Sequence, residues 1–239
     1  MTAALLQTRG LTARFGGVTA VDDVDFSVRP GELRCLIGPN GAGKSSFFKM
    51  LSGQLKPSAG SVTFKGVPLA GKSAAQIAQL GIGIKTQVPN VFDGLTVRQS
   101  VRLAAERALP PLSAVARVDA TLERLRIAEL ADRKVGQLAH GQRQLVELAM
   151  VLAPSPDLLL LDEPAAGMTG DEVLRLGEII VEMARSSAVV VVEHDMSFIR
   201  RIGRTVSVLN RGRLLTEGPV DRVLDDQRVR DVYLGRSAR

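Results

Sequence analysis

The chain has 239 residues, 45% of them hydrophobic and 23% charged, which suits one compact domain with a sizeable core and excludes global disorder. Aromatics amount to 3%, with no Trp and one Tyr, so the core is expected to be aliphatic. The net charge of +6 permits an anionic partner, but the basic residues are dispersed and carry almost no interleaved aromatics. A solvated basic face near lipid headgroups or a partner subunit is expected, and no nucleic acid.

In chain order, residues 1–30 hold short apolar alternations at Leu5-Leu6 and from Val24 to Val28, broken by Gly10, Gly16-Gly17 and Pro30-Gly31. This pattern predicts strands joined by tight turns. Leu33–Ile37 is a compact apolar strand, and Cys35 within it, the single cysteine, is expected to be a buried structural thiol. Helical spacing runs from Lys44 to Leu51 and ends near Gly53. Residues 61–66 form a further strand and turn. Residues 96–108 and 115–131 have helical spacing, with Pro110-Pro111 between them, and predict a helical lobe.

Strand–helix alternation then returns. A helix over 141–152 is stopped by Pro154 and Pro156, a strand covers 158–161, a helix covers about 171–185, and Ala188–Val192 is a strand. Thr205–Asn210, Arg211-Gly212 and residues 213–215 read as a hairpin before a polar helical tail. Continuous aliphatic strands alternating with helices predict a largely parallel sheet covered on both faces. No apolar run approaches the roughly 20 residues of a membrane span, and Met1-Thr2-Ala3-Ala4 lacks the layout of a secretory signal. A cytoplasmic location is expected.

The segment Gly38-Pro39-Asn40-Gly41-Ala42-Gly43-Lys44-Ser45 fits G-x-x-x-x-G-K-S between an apolar strand and a helix. Its glycines let the backbone wrap around phosphates, with amides pointing inward at a helix N-terminus, where the dipole favours anions. Lys44 supplies charge to the β- and γ-phosphates of ATP, and Ser45 offers a hydroxyl to Mg²⁺. The strand at 158–161 then runs into Asp162 and Glu163. Carboxyl ends of parallel strands are where such sheets place ligands; Asp162 would hold Mg²⁺, and Glu163 would polarise the attacking water.

On these residues the chain resembles the nucleotide-binding domain of an ABC transporter. Gln87 stands where that family has its Q-loop glutamine. Leu138-Ala139-His140-Gly141-Gln142 resembles the signature Leu-Ser-Gly-Gly-Gln, His194 the switch histidine, and residues 166–169 the D-loop. The resemblance implies an ATPase with an α/β, P-loop (RecA-like), mostly parallel core, an N-terminal antiparallel β subdomain and an inserted α-helical subdomain. The implied division is 1–87 and 136–239 for the core and 88–135 for the insert. It implies catalytic roles for Glu163, His194 and Gln87, Mg²⁺ ligation by Ser45, Gln87 and Asp162, and stacking of Phe15 on adenine. ATP contacts are implied from Gly38, Pro39, Asn40, Gly41, Ala42, Gly43, Lys44, Ser45 and Ser46, and, across a head-to-tail dimer, from Ala139, His140, Gly141 and Gln142.

Two positions depart from the pattern. Ala139 replaces the signature serine that donates to the partner's γ-phosphate, and Thr169 replaces the D-loop aspartate. His140 stands beside Ala139 and is a candidate replacement donor.

Gly31-Glu32-Leu33-Arg34-Cys35, Val91-Phe92-Asp93-Gly94-Leu95-Thr96-Val97, Glu163-Pro164-Ala165-Ala166-Gly167-Met168-Thr169, Val192-Glu193-His194-Asp195-Met196 and Val232-Tyr233-Leu234-Gly235 resemble the short ATP-binding subunits of branched-chain amino acid and urea importers, with the urea branch favoured. That implies a second ATPase subunit (a homologous chain or a second copy of this one), integral membrane permease subunits docking around residues 88–92 and the following helices, an extracytoplasmic solute-binding protein, and a peripheral place on the inner face of the plasma membrane. A soluble or exporter-associated ABC ATPase is the alternative.

Overall fold

A computed structural model describes residues 3–87 and 90–234. Its elements in order are β1 (Leu6–Phe15), β2 (Val18–Val28), β3 (Leu33–Ile37), α1 (Lys44–Leu51), β4 (Ala59–Phe64), β5 (Val67–Pro68), α2 (Ala74–Gln79), β6 (Ile82–Lys85), α3 (Val97–Ala105) and α4 (Pro111–Arg124). Two 3₁₀ turns, Ala128–Leu130 and Val135–Gln137, lead to α5 (His140–Leu152), β7 (Leu158–Asp162), α6 (Gly170–Met183), β8 (Ala188–Val192), α7 (Met196–Ile202), β9 (Thr205–Asn210), β10 (Arg213–Pro219), α8 (Val220–Leu224) and α9 (Gln227–Leu234).

The strands make two sheets. One is antiparallel, in the order β2-β1-β4-β5; the other has the order β10-β9-β3-β8-β7-β6. Within the second sheet β9, β3, β8, β7 and β6 run parallel, and β10 returns antiparallel along the edge. The expected mostly parallel α/β core with an antiparallel β unit is what the structure has.

Side-chain alternation assigns the two faces of the larger sheet. Leu33, Cys35 and Ile37 of β3, Leu159 and Leu161 of β7, and Val189 and Val191 of β8 pack with α3 to α7. Leu36, Leu158, Leu160, Val190 and Val192 pack on the other side, with Phe47 and Phe48 of α1 and with Leu6, Phe26 and Phe64 of the antiparallel sheet. Strands buried on both faces need apolar residues at every position, which is why these segments read as unbroken aliphatic runs. Each fully buried Leu or Val contributes about 1.5–3 kcal/mol over exposure. Burial pushes the Cys35 thiol up to about 12, so it is the inert structural thiol expected.

Several boundaries differ from expectation. The second helix of the lobe begins at Pro111 rather than 115, because proline is preorganised for the first helical position and needs no amide partner there. It ends at Arg124, and Arg126 takes a left-handed φ of 57°, so the expected helix to 131 is replaced by a turn and a short 3₁₀ segment. The β10 strand extends to Pro219, beyond the expected 215. Elements β5, α2, β6 and α7 were not anticipated. Val88, Pro89 and Gly235, invoked in the sequence reading, lie outside the described residues.

Candidate functional site

The loop between β3 and α1 leaves the sheet's centre at its carboxyl edge. Gly38, Gly41 and Gly43 have positive φ, and two of them are also sterically required. A Cβ on Gly38 would collide with the Leu209 carbonyl of β9, and one on Gly43 with the Ala20 carbonyl of β2. The β2 contact places the antiparallel hairpin against this loop. Phe15 lies on that hairpin, paired with Val18 across it, and is 50% exposed, open to a planar ligand.

Lys44 Nζ donates to the carbonyls of Gly38 at 2.6 Å and Pro39 at 3.0 Å. The ammonium therefore folds back over the loop that would cradle phosphates. Burial lowers its pKa, while Glu163 and then Asp162 oppose that shift. Ser45 is exposed and Ser46 half-buried in the first turn of α1.

Asp162 ends β7. Burial, and then the charge of Glu163, hold its carboxyl above the usual range; Lys85, Lys49 and Lys44 pull it down. Two adjacent carboxylates with incomplete cationic compensation are a place where a divalent cation fits, and the side-chain oxygens of Ser45, Asp162 and Gln87 are of the hard kind Mg²⁺ prefers. Among the described residues no cluster of three His, Cys, Asp or Glu could hold a metal unaided. Three such protein oxygens would need phosphate oxygens or water to complete a shell.

Glu163 turns out of β7 with a left-handed φ of 45°. Such a backbone costs a non-glycine residue on the order of 1–3 kcal/mol and is held here by its amide bond to Val192 O at 2.9 Å. The turn aims the carboxylate at its neighbours. Gln87 Nε2 donates to Glu163 Oε2 at 2.9 Å, and His194 Nδ1 lies 3.6 Å from Glu163 Oε1. Gln87, Glu163 and His194 follow β6, β7 and β8, three adjacent parallel strands, so the sheet order itself gathers them. Next to them Glu193 is buried and accepts from the amides of Ala165 and His194, each at 3.2 Å, a role that no local sequence pattern signals. Asp195 caps α7 through the Ser197 and Phe198 amides.

The segment from Leu138 to Gln142 lies apart from this group. Ala139 caps α5 with no side-chain acceptor, and its amide is held by Gln142 Oε1 at 3.1 Å. His140 does not project freely. Its Nε2 is 3.1 Å from the Ala166 carbonyl. Gln144 Nε2 is 3.2 Å from the same atom, and a Cβ on Gly167 would press on the ring. Gly141 is buried with its Cα against the Glu172 carboxylate of α6, which accepts from both the amide (2.9 Å) and hydroxyl (3.0 Å) of Thr169. Thr169 thus serves as the cap of α6.

A family model described as "ABC transporter" matches residues 21–166. The chain belongs to the ABC transporter family. Its relatives include the Escherichia coli K12 high-affinity branched-chain amino acid transport ATP-binding protein LivG, 32% identical over 99% of this chain and 100% of LivG. The lipopolysaccharide export system ATP-binding protein LptB of Acidithiobacillus ferridurans is 34% identical over 97% of each chain. Among solved structures, the ADP conformation of MJ1267, an ATP-binding cassette of an ABC transporter, superposes with a TM-score of 0.87 at 29% identity, covering 98% of this chain and 100% of MJ1267. This ABC protein is therefore an ATP-binding ATPase subunit with the expected α/β P-loop fold, and the branched-chain side of the sequence resemblance is matched by LivG. No helix among the described residues is long and apolar enough to cross a membrane.

Proposed function

We propose that the chain is the ATPase of an ABC importer. In this reading residues 1–87 and 136–239 form the nucleotide-binding core and 88–135 an inserted helical subdomain. The observation that carries the reading is the convergence of Gln87, Glu163 and His194 on the carboxyl edge that also holds the Gly38–Ser45 loop. ATP lies with its phosphates on the amides from Gly38 to Ser46 and its adenine on Phe15, and Lys44 leaves its carbonyl partners for the β- and γ-phosphates. Ser45, Asp162 and Gln87 would hold Mg²⁺, which neutralises charge developing on the phosphates. Glu163, steered by the Gln87 amide, accepts a proton from the attacking water, and His194 contacts the γ-phosphate.

A second ATPase subunit pairs head to tail, so that Ala139, His140, Gly141 and Gln142 cover the partner's nucleotide. Closure of that dimer on ATP shifts the permease subunits between states, because ATP binds the closed form more tightly. The helical segment exposes Phe92, Leu103, Leu112 and Val115, with Leu112 89% exposed. Apolar side chains of that size left in water suit a surface covered by membrane subunits. The assembly then includes an extracytoplasmic solute-binding protein and sits on the inner face of the plasma membrane.

The solute is urea or a branched-chain amino acid, urea being favoured by the stretches around Gly31–Cys35 and Gly167–Thr169. The likeness to LptB supports an export system as the second reading. Uptake of labelled urea and leucine in a deletion strain tests the choice. Loss of urea uptake, restored by the wild-type gene and not by Glu163→Gln, is expected; unchanged uptake of both solutes overturns the importer reading.

A further inference from the structure

Two buried charges outside the proposed chemistry pair with each other beside the segment that carries Gln87. Lys85, at the end of β6, is 1% exposed, and Glu147, in the middle of α5, is 4% exposed. Charged side chains are rarely buried to this degree unless paired. Glu147 Oε2 is 3.2 Å from Lys85 Nζ, and Glu147 Oε1 accepts from the backbone amide of Asn90 at 3.1 Å. Among the described residues neither Lys85 Nζ nor Glu147 Oε2 makes a regular hydrogen bond, so the ion pair is what holds these two atoms together.

Lys85 precedes Gln87 by two residues and Asn90 follows it by three. One carboxylate thus holds both flanks of the segment that delivers Gln87 to Glu163. That carboxylate belongs to α5, the helix whose first turn carries His140, Gly141 and Gln142.

We infer that Glu147, neutralised by Lys85, is a positioning residue that ties Gln87 to α5, so that displacement of α5 by a partner's nucleotide is passed to the glutamine beside this chain's own general base. The link cannot slide without leaving a buried charge unpaired, so it transmits motion instead of absorbing it. Only four residues, 86–89, separate Lys85 from Asn90 in the sequence, too few to uncouple Gln87 from both anchors. A merely structural pair would hold α5 on β6 and influence stability alone; a positioning pair also sets turnover in the folded enzyme.

The inference rests on the ATPase reading above, and its test separates the two. Mg-ATP hydrolysis and affinity for a fluorescent ATP analogue are measured on the full chain as wild type, Glu163→Gln, K85M/E147L and K85M/E147Q. Removing both charges together avoids stranding one of them. In K85M/E147L the Asn90 tether is lost: kcat should fall at least ten-fold, with KM and nucleotide affinity within two-fold of wild type. In K85M/E147Q an amide oxygen remains for Asn90, and kcat should return to within three-fold of wild type.

Wild-type kcat in a folded K85M/E147L overturns the inference and leaves the ATPase reading standing. Absence of Mg-ATP hydrolysis in the wild type, or indifference to Glu163→Gln, overturns both. Should K85M/E147L not fold, hydrogen exchange in the ATP-bound Glu163→Gln chain decides. The Asn90 amide and the first two turns of α5 should gain protection together, and independent responses would contradict the link.

Discussion

At the carboxyl edge of β3, β6, β7 and β8 several of the expected polar groups have partners: Lys44 lies on the Gly38 and Pro39 carbonyls, and Gln87 on Glu163, with His194 alongside. At the starts of α5 and α6 the side chains are short or engaged within the chain. Ala139 offers no donor, His140 faces the Ala166 carbonyl, and Thr169 is spent on the cap of α6. In the proposed function the first region serves the chain's own nucleotide and the second is lent to a partner. On that reading the difference teaches that two half-sites can diverge within one polypeptide, since they sit on different elements and would answer to different nucleotides.

Changes in the first region should be the most damaging. Glu163→Gln removes the proposed base and should lower kcat at least 100-fold while ATP binding persists, measured by phosphate release and by equilibrium binding. Lys44→Ala removes a charge-assisted contact worth about 1.5–3 kcal/mol and should weaken ATP binding roughly ten- to a hundred-fold in a binding titration. Phe15→Ala should weaken ATP and ADP alike by about two- to ten-fold, through loss of stacking worth about 0.5–1.5 kcal/mol. Equal binding by wild type and the Phe15 variant would move the adenine elsewhere.

The second region is probed by His140→Ala. If the imidazole serves its own chain through Ala166 O, the isolated protein loses about 0.5–1.5 kcal/mol in denaturant unfolding. Unchanged stability, with loss of ATPase only in the assembled pair, would instead restore His140 as a donor to the partner's phosphate.

Legibility in sequence followed the physics of each element. β3, β7 and β8 announced themselves because burial on both faces demands unbroken aliphatic runs, and the Gly38–Ser45 loop because its steric requirements admit few residues. The strand β6 was silent: Gly83 and Lys85 interrupt its apolar pattern, and the lysine is tolerable there only because Glu147, distant in sequence, closes on it. α7 is seven residues long, too short for periodicity, and its signal was the cap Asp195 two and three residues ahead of the amides it accepts. Pro110-Pro111 was read as a divider, and only Pro110 is outside the helix. Gln87, Glu163 and His194 were each expected from motif positions, but their mutual contact depends on strand order, which the sequence pattern does not contain. Likewise nothing local in the sequence shows that His140 turns toward Ala166.

The most direct test of the contrast is the turnover of the assembled ATPase pair, in complex with its membrane subunits, carrying Ala139→Ser in this chain. If this chain lends an incomplete half-site, the restored hydroxyl should raise kcat at least three-fold with KM for ATP unchanged, since the added contact forms only around the partner's γ-phosphate. An unchanged rate would contradict the account and place the missing donor elsewhere in the closed pair.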